Sequence, residues 1–284
     1  MKKIICPTDF SPTAEKAIKY AALIAQKAKA HLTLLHVIHL PIVDTSETAL
    51  VASELLGEQR RDATDRLKSA CGRLEQELGS LYSTGWSCDF RVEEALLTDM
   101  VENMVKEEGY DMVIMGTTGA GGKLEEILIG SNAEAIMENV KCPVLAIPAN
   151  AAPPRIQRIV YASDYQDNDG LALQEVAELA SIFQASIEVL HVCEDRENLN
   201  SERAREFRQT LQQELPGLPL QFHEIVNDNE EKGLKEYLNQ QNADMLAILR
   251  KRKNFFRDLF RQSLTEKMTY HARLPLLIVH GKNR

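Results

Sequence analysis

At 284 residues the chain is long for one hydrophobic core and sufficient for two. Its composition, 44% hydrophobic and 26% charged, is that of an ordinary globular protein. A formal net charge of −9 excludes a general nucleic-acid or membrane-surface binder, since either needs a basic face.

From the start, Met1-Lys2-Lys3-Ile4-Ile5-Cys6-Pro7 is interrupted too soon to serve as a signal peptide. No apolar run approaches transmembrane length, so a cytoplasmic location is expected. Ile4 to Cys6 reads as a short buried strand that ends in Pro7-Thr8-Asp9. Ser11 is placed to N-cap a helix with Pro12 at its first position, and Ala14, Ala17, Ile18, Ala21, Ile24 and Ala28 fall on one face of it. His31 to Val37 is a second strand. Ala63, Leu67, Cys71, Leu74 and Leu78 mark a second helix, and Trp86, Cys88, Phe90 and Val92 alternate as a third strand. Met100, Val101, Met104 and Val105 give a third helix before the strand Asp111 to Met115. Ala133, Ile136, Met137 and Val140 give a fourth, before the strand Cys142 to Ile147. The pattern β-α-β-α-β-α-β-α-β buries a parallel sheet between helix layers.

The same pattern then returns. Ile159-Val160-Tyr161-Ala162-Ser163-Asp164 matches Ile4 to Asp9, and Ser186 to Val192 matches His31 to Val37, both ending Leu-His-Val. Asp244 to Ile248 matches Asp111 to Met115, and Leu274 to Val279 matches Cys142 to Ile147. Leu234, Tyr237 and Leu238 mark the third helix of this second copy. Four matches in one order indicate a tandem repeat, with expected domains at residues 1–148 and 156–284. Residues 149–155, rich in proline and small side chains, suit an extended linker. The five cysteines are odd in number, widely spaced and without a CxxC pair. They read as buried small hydrophobes in a reducing compartment, not as a disulfide frame or a zinc site.

Open α/β sheets bind ligands beyond the carboxyl ends of their strands, where the strand order reverses. In the first copy that end carries Asp9 after strand one and, after Met115, the loop Gly116-Thr117-Thr118-Gly119-Ala120-Gly121-Gly122-Lys123. Gly130-Ser131-Asn132 then opens the fourth helix. Glycines admit an anion close to backbone amides, and a helix N-terminus attracts phosphate. The loop is neither a Walker A sequence, because Lys123 is followed by Leu124, nor a dinucleotide fingerprint, because it follows the fourth strand.

With these residues in this frame, the chain resembles a tandem universal stress protein along nearly its whole length. The resemblance implies a doubly wound α/β fold in each repeat, five parallel strands in the order 3-2-1-4-5 with helices on both faces. Members that bind ATP carry Gly-x-x-Gly, nine residues, then Gly and Ser, Thr or Asn. Gly116 and Gly119 match the first pair, and Gly130 and Ser131 the second, with ten residues between Gly119 and Gly130. By resemblance Asp9 accepts the adenine amino group and the backbone of Val37 holds the adenine edge. Met115 and Gly116 line the site and Thr118 lies near the ribose. Gly119, Gly130, Ser131 and Asn132 hold phosphates. The implied ligand is ATP, or AMP or ADP, with Mg2+ as a possible companion ion. The implied partner is an adenine nucleotide, with the two repeats forming an intramolecular pseudo-dimer through their fifth strands and a homodimer of chains as a further assembly.

The second copy departs from this pattern. Leu249-Arg250 stands near the place of Gly116, followed by Lys251-Arg252-Lys253-Asn254-Phe255-Phe256, and no glycine lies between Gly233 and Gly281. Gln262-Ser263 replaces Gly130-Ser131. This copy is expected to lack the nucleotide site. Asp9 and Asp164 also admit a plain structural role, capping backbone amides, and His36 and His191 read as core-edge residues. The expected function is a stress-response binding module holding an adenine nucleotide in its first domain. A nucleotide-independent scaffold, using the basic-aromatic segment that begins at Arg250, is the alternative. A slow ATPase or phosphotransferase is weaker, because no general base stands beside the loop and Ser131 has no histidine at a motif spacing.

Overall fold

The computed structural model describes residues 1–38, 46–79, 85–117, 130–165, 168–250 and 273–281. In the first repeat the elements are β1 (Lys3–Pro7), α1 (Pro12–Ala28), β2 (His31–Ile38), α2 (Ser46–Leu78), β3 (Ser87–Glu94), α3 (Leu97–Glu108), β4 (Met112–Gly116), α4 (Ser131–Asn139) and β5 (Val144–Ile147). In the second they are β6 (Arg158–Ala162), α5 (Asp169–Phe183), β7 (Ser186–Cys193), a 3-10 turn (Arg196–Asn198), α6 (Glu202–Glu214), β8 (Leu220–Val226), α7 (Glu230–Gln241), β9 (Met245–Leu249) and β10 (Leu276–Val279). The fourth helix expected in the second copy falls outside the described residues. Among the described residues, no helix is long and apolar enough to cross a membrane.

The fold divides at Cys142–Pro143 into two compact units, the first with β1–β4 and α1–α4, the second with β5–β10 and α5–α7. In the first unit the strands are ordered β3-β2-β1-β4, all parallel. The order reverses at β1, and β4 lies beside it on the side away from β2. Right-handed crossovers then send α1 and α2 to one face and α3 to the other. The strand residues Ile4, Ile5, Leu32, Leu34, Leu35, Val113 and Ile114 are fully buried, as strands covered on both faces require. Helix α1 begins where expected: Ser11 Oγ accepts the Ala14 N–H at 3.1 Å, and Pro12 occupies the first turn. Its buried alanines Ala14, Ala17, Ala21 and Ala25 bring the helix close to β1 and β4.

In the second unit β10-β9-β6-β7-β8 run parallel, the same order in mirror numbering. To this β5 is added antiparallel to β10, with Leu276 opposite Ala146, Leu277 opposite Leu145 and Ile278 opposite Val144. All four residues of each of these two strands are buried. The expected α/β class, in two repeats with mostly parallel strands, is therefore the one observed.

One expectation is corrected. Cys71 on α2 and Cys88 on β3 are joined as a disulfide, with Cα atoms 5.6 Å apart. Cys6, Cys142 and Cys193 are buried as anticipated and take no part in the disulfide. A separation of 17 residues carries no signature in sequence. The pair is made by α2 packing across β3, a tertiary fact.

Candidate functional site

The carboxyl end of the first unit's sheet is built around the reversal between β1 and β4. Ile4 and Ile5 pair with Met112 and Val113, which sets the ends of these two strands side by side. Strand β1 stops at Pro7, paired with Leu35, while β2 continues to Ile38, so Val37 lies beyond the end of β1. Asp9 is exposed there, and its Oδ1 accepts the Ser11 N–H at 3.0 Å. The carboxylate thus helps turn the chain into α1, the structural role that the sequence left open. At the end of β4, Met115 is buried and Gly116 lies against the start of α1. A Cβ on Gly116 would stand 2.9 Å from Thr13 Cγ2 and 3.2 Å from the Thr13 carbonyl carbon. Only glycine lets α1 begin this close to β4.

Helix α4 faces the same end. Its N-cap is Gly130, which offers no side chain to the first-turn amides. The Gly130 N–H donates to the Thr117 carbonyl at 2.7 Å, which ties the helix start to the residue after β4. Ser131 and Asn132 are exposed in the first turn. The first amides of an α-helix have no partner within the helix and sit at the positive end of its dipole. Uncapped by a side chain, this end is chemically suited to a phosphate. Gly116, the uncapped first turn of α4 and the exposed Asp9 carboxylate thus bring backbone donors and one acceptor to the same end of the sheet. Of the nine residues singled out in sequence, Asp9, Val37, Met115, Gly116, Gly130, Ser131 and Asn132 are described. Thr118 and Gly119 lie outside the described residues, as do Gly121, Gly122 and Lys123.

Sequence reasoning missed the wall beside Asp9. Phe10 has φ 61 and sets its ring against His36, with centroids 4.6 Å apart. His36 Nδ1 is 2.8 Å from the Thr8 carbonyl, and Thr8 Oγ1 accepts the Phe10 N–H at 3.0 Å. Arg66 of α2 also lies over the ring, with Cζ 3.9 Å from its centroid. The second repeat repeats the motif. Tyr165, φ 57, stacks on His191 at 4.2 Å, His191 Nδ1 is 2.8 Å from the Ser163 carbonyl, and Ser163 Oγ accepts the Tyr165 N–H at 3.0 Å. The readable signal was an aromatic after each aspartate and a histidine on the neighbouring strand.

The equivalent reversal in the second unit carries a side chain where the first has a glycine. Ile159 pairs with Met245 as Ile4 pairs with Met112, so Leu249 holds the place of Gly116. Leu249 is buried, and a Cβ on Gly281 would lie 3.0 Å from its Cδ1 and 2.8 Å from the Asn168 carbonyl oxygen. Beside it, Asp169, fully buried, accepts from Tyr161 Oη at 2.6 Å and from Ser163 Oγ at 2.5 Å. Burial raises the Tyr161 hydroxyl well above its ordinary value, and the Asp169 charge adds to this, so the phenol stays a donor. Tyr165 Oη donates to Glu224, which also takes a bond from Arg208. The Arg250 N–H is held by the Val279 carbonyl at 2.9 Å. Lys251, Arg252, Lys253, Gln262 and Ser263 lie outside the described residues.

Comparison with known proteins agrees with this architecture. The pattern of the Universal stress protein family matches residues 1–148 and again residues 155–280. Universal stress protein MJ0531 of Methanocaldococcus jannaschii is 32% identical over 149 residues, covering 51% of this chain and 81% of the relative. Universal stress protein MJ0577 of the same organism is 28% identical over 163 residues, covering 51% and 94%. The crystal structure of a universal stress protein from Archaeoglobus fulgidus superposes with a TM-score of 0.66 at 17% identity, covering 99% of this chain and 98% of that one. That likeness extends through both repeats and concerns the fold.

Proposed function

The chain belongs to the universal stress protein family, and on that footing we propose that its first repeat binds an adenine nucleotide. ATP is the preferred ligand, with AMP and ADP as relatives that the same site accepts and Mg2+ as the companion of the phosphates. The observation that carries this reading is the contrast at the two strand reversals. The first repeat presents Gly116 and the uncapped start of α4, whereas the second presents the Leu249 side chain and the Asp169 network. Asp9 and the Val37 backbone hold the adenine, Met115 and Gly116 line the cleft, and Thr118 meets the ribose. Gly119, Gly130, Ser131 and Asn132 take the phosphates through backbone amides and one hydroxyl.

In this reading the second repeat is a pseudo-dimer partner without a nucleotide of its own. Its pairing of β10 with β5 covers two apolar edges that would otherwise recruit other chains. The protein acts in the cytoplasm as a stress-response binding module, and neither nucleic acid nor membrane is a partner.

The test is direct. Protein purified without added nucleotide is denatured, and the released small molecules are read by absorbance and mass spectrometry. Calorimetry of the emptied chain with ATP is expected to give one site per chain. Two sites would contradict the contrast between the repeats. No copurified nucleotide and no heat would leave a nucleotide-independent interaction role in its place.

A further inference from the structure

We propose that Cys71 and Cys88 form a redox modification site, a dithiol that hydroperoxides oxidise to a disulfide and cellular thiols reduce again, fastening and releasing α2 on β3. The inference stands apart from nucleotide binding and rests on four observations. First, the Cα atoms are 5.6 Å apart, within the span a disulfide bridges without backbone movement. Second, the two sulfurs differ in access: Cys71 is buried, while Cys88 on β3 is only half-buried and open to a small oxidant.

Third, the folded chain accommodates both oxidation states. Cys71 Sγ lies 3.4 Å from the Asp89 carbonyl oxygen and Cys88 Sγ 3.8 Å from it, so one backbone acceptor serves either S–H after reduction. The attachment of α2 does not depend on the bond. Ala63, Leu67 and Leu74 are buried beneath the helix, and Gln26 Nε2 donates to the Leu78 carbonyl at 2.8 Å. Trp86, fully buried, donates from Nε1 to the Gly79 carbonyl at 2.7 Å and closes the same connection. Fourth, the other cysteines are poor competitors. Cys6, Cys142 and Cys193 are buried, and burial pushes the Cys6 and Cys193 thiols upward, away from the reactive thiolate.

The chemistry balances in two steps. The Cys88 thiolate attacks one oxygen of the hydroperoxide. The O–O bond breaks, the other oxygen leaves as alkoxide or hydroxide and takes a proton, and Cys88 becomes a sulfenic acid. The Cys71 sulfur then attacks the Cys88 sulfur. The S–O bond breaks, water leaves, and the disulfide forms. Two thiols lose two electrons and two protons, and the peroxide is reduced to water and an alcohol, or to two waters. A cellular thiol reverses the change by disulfide exchange, entering at Cys88. The site sits in α2 five positions beyond Arg66, the residue laid over Phe10, so oxidation restrains the helix that carries this wall.

The full chain is reduced, freed of reductant, checked for retained helix content by circular dichroism, and exposed to one equivalent of hydrogen peroxide. Free thiols are then alkylated under denaturing conditions and the peptides mapped. The expected product links residues 69–73 to residues 74–91, lighter by two hydrogens, with Cys6, Cys142 and Cys193 all alkylated. Glutathione added to the folded oxidised protein restores both thiols. Cys71→Ser is expected to trap a sulfenic acid on Cys88 that dimedone labels, whereas Cys88→Ser gives no label. Failure to crosslink, a crosslink to another cysteine, or a Cys88 that stays a thiol in Cys71→Ser overturns the proposal. A bond that yields to glutathione only after unfolding also overturns it, because the crosslink is then a permanent structural one.

Discussion

Gly116 and Thr13 meet so closely that the glycine's missing side chain is a condition of the fold: a Cβ there would stand 2.9 Å from Thr13 Cγ2. This contact joins the end of β4 to the first turn of α1, whose other neighbour is Asp9. Gly116→Ala is therefore expected to push α1 away from β4 and to destabilise the first unit by about 1–3 kcal/mol, as overpacking does. Urea denaturation measures it. A variant as stable as the parent would show that α1 moves without cost.

Gly130 behaves differently. Its φ of −64 is open to any residue, and among the described residues an added Cβ would meet only the Thr117 carbonyl oxygen, at 3.4 Å. Gly130→Val is expected to melt close to the parent yet lose on the order of 2 kcal/mol of ATP affinity, about 30-fold, as one or two charge-assisted hydrogen bonds are lost. Calorimetry beside a thermal scan separates the two effects. Unchanged ATP binding would remove the phosphate from the start of α4.

Asp9 offers a test of base recognition rather than of phosphate number. Asp9→Ala is expected to narrow the preference for ATP over GTP while leaving the ratio of ATP to AMP affinity unaltered. Asp164→Ala, in the repeat that carries Leu249 in the place of Gly116, is expected to change neither. Competition titrations with the three nucleotides read the outcome. A variant that loses ATP and GTP equally would assign Asp9 to shaping the turn through Ser11 alone.

In the second unit the Asp169 carboxylate holds two buried hydroxyls, and removing it strands both. Asp169→Ala is expected to cost about 3 kcal/mol in chemical denaturation, since Tyr161 and Ser163 lose their acceptor while remaining buried. Ser163→Ala, which strands no buried acceptor charge alone, should cost less. Equal losses would indicate that packing, not the network, is being measured.

Acid stability carries a signature at the edge of the first sheet. Burial draws the Asp89 carboxyl upward. The hydrogen bonds from His31 and Thr33, with the charges of His31 and Arg91, outweigh it and hold the group below its ordinary value. A carboxylate depressed in the folded state stabilises above its unfolded value, and this stabilisation is lost as pH falls through the folded one. The His31 Nε2–Asp89 Oδ2 pair, 3.1 Å apart, has its carboxylate half exposed, so its share is well under about 1 kcal/mol. Asp89→Asn is expected to flatten the fall in stability below about pH 4 and to leave the neutral range nearly unchanged. A steeper acid fall in the variant would reverse the sign of the argument.

The strands were readable in sequence because both faces of a central parallel strand are buried, so Ile4-Ile5-Cys6 and Val113-Ile114 appear as unbroken apolar runs. Ser11 and Pro12 announced α1, and the alanines named its buried face. Gly116 and Gly130 were readable as positions where a side chain is absent. Their different reasons were not: one abuts Thr13, and the other caps a helix without a side chain. The Phe10–His36–Arg66 stack and the Cys71–Cys88 bond join residues from separate elements, and no spacing along the chain encodes such meetings. The second repeat was half legible. Missing glycines marked its departure from the first, but the Tyr161–Asp169–Ser163 network needed three dimensions.

The pairing of β5 with β10 sets an order of events during synthesis. Leu145 finds its hydrogen-bonded neighbour in Leu277, a residue the ribosome adds only after every other described strand of the second repeat. Until then β5 is an apolar ribbon with that flank open, and contacts between residues so far apart in sequence close slowly. The nascent chain thus passes through a period in which its first repeat is complete in sequence but still lacks a neighbour along one strand. During that period a chaperone, or another nascent copy, competes for the same hydrogen bonds.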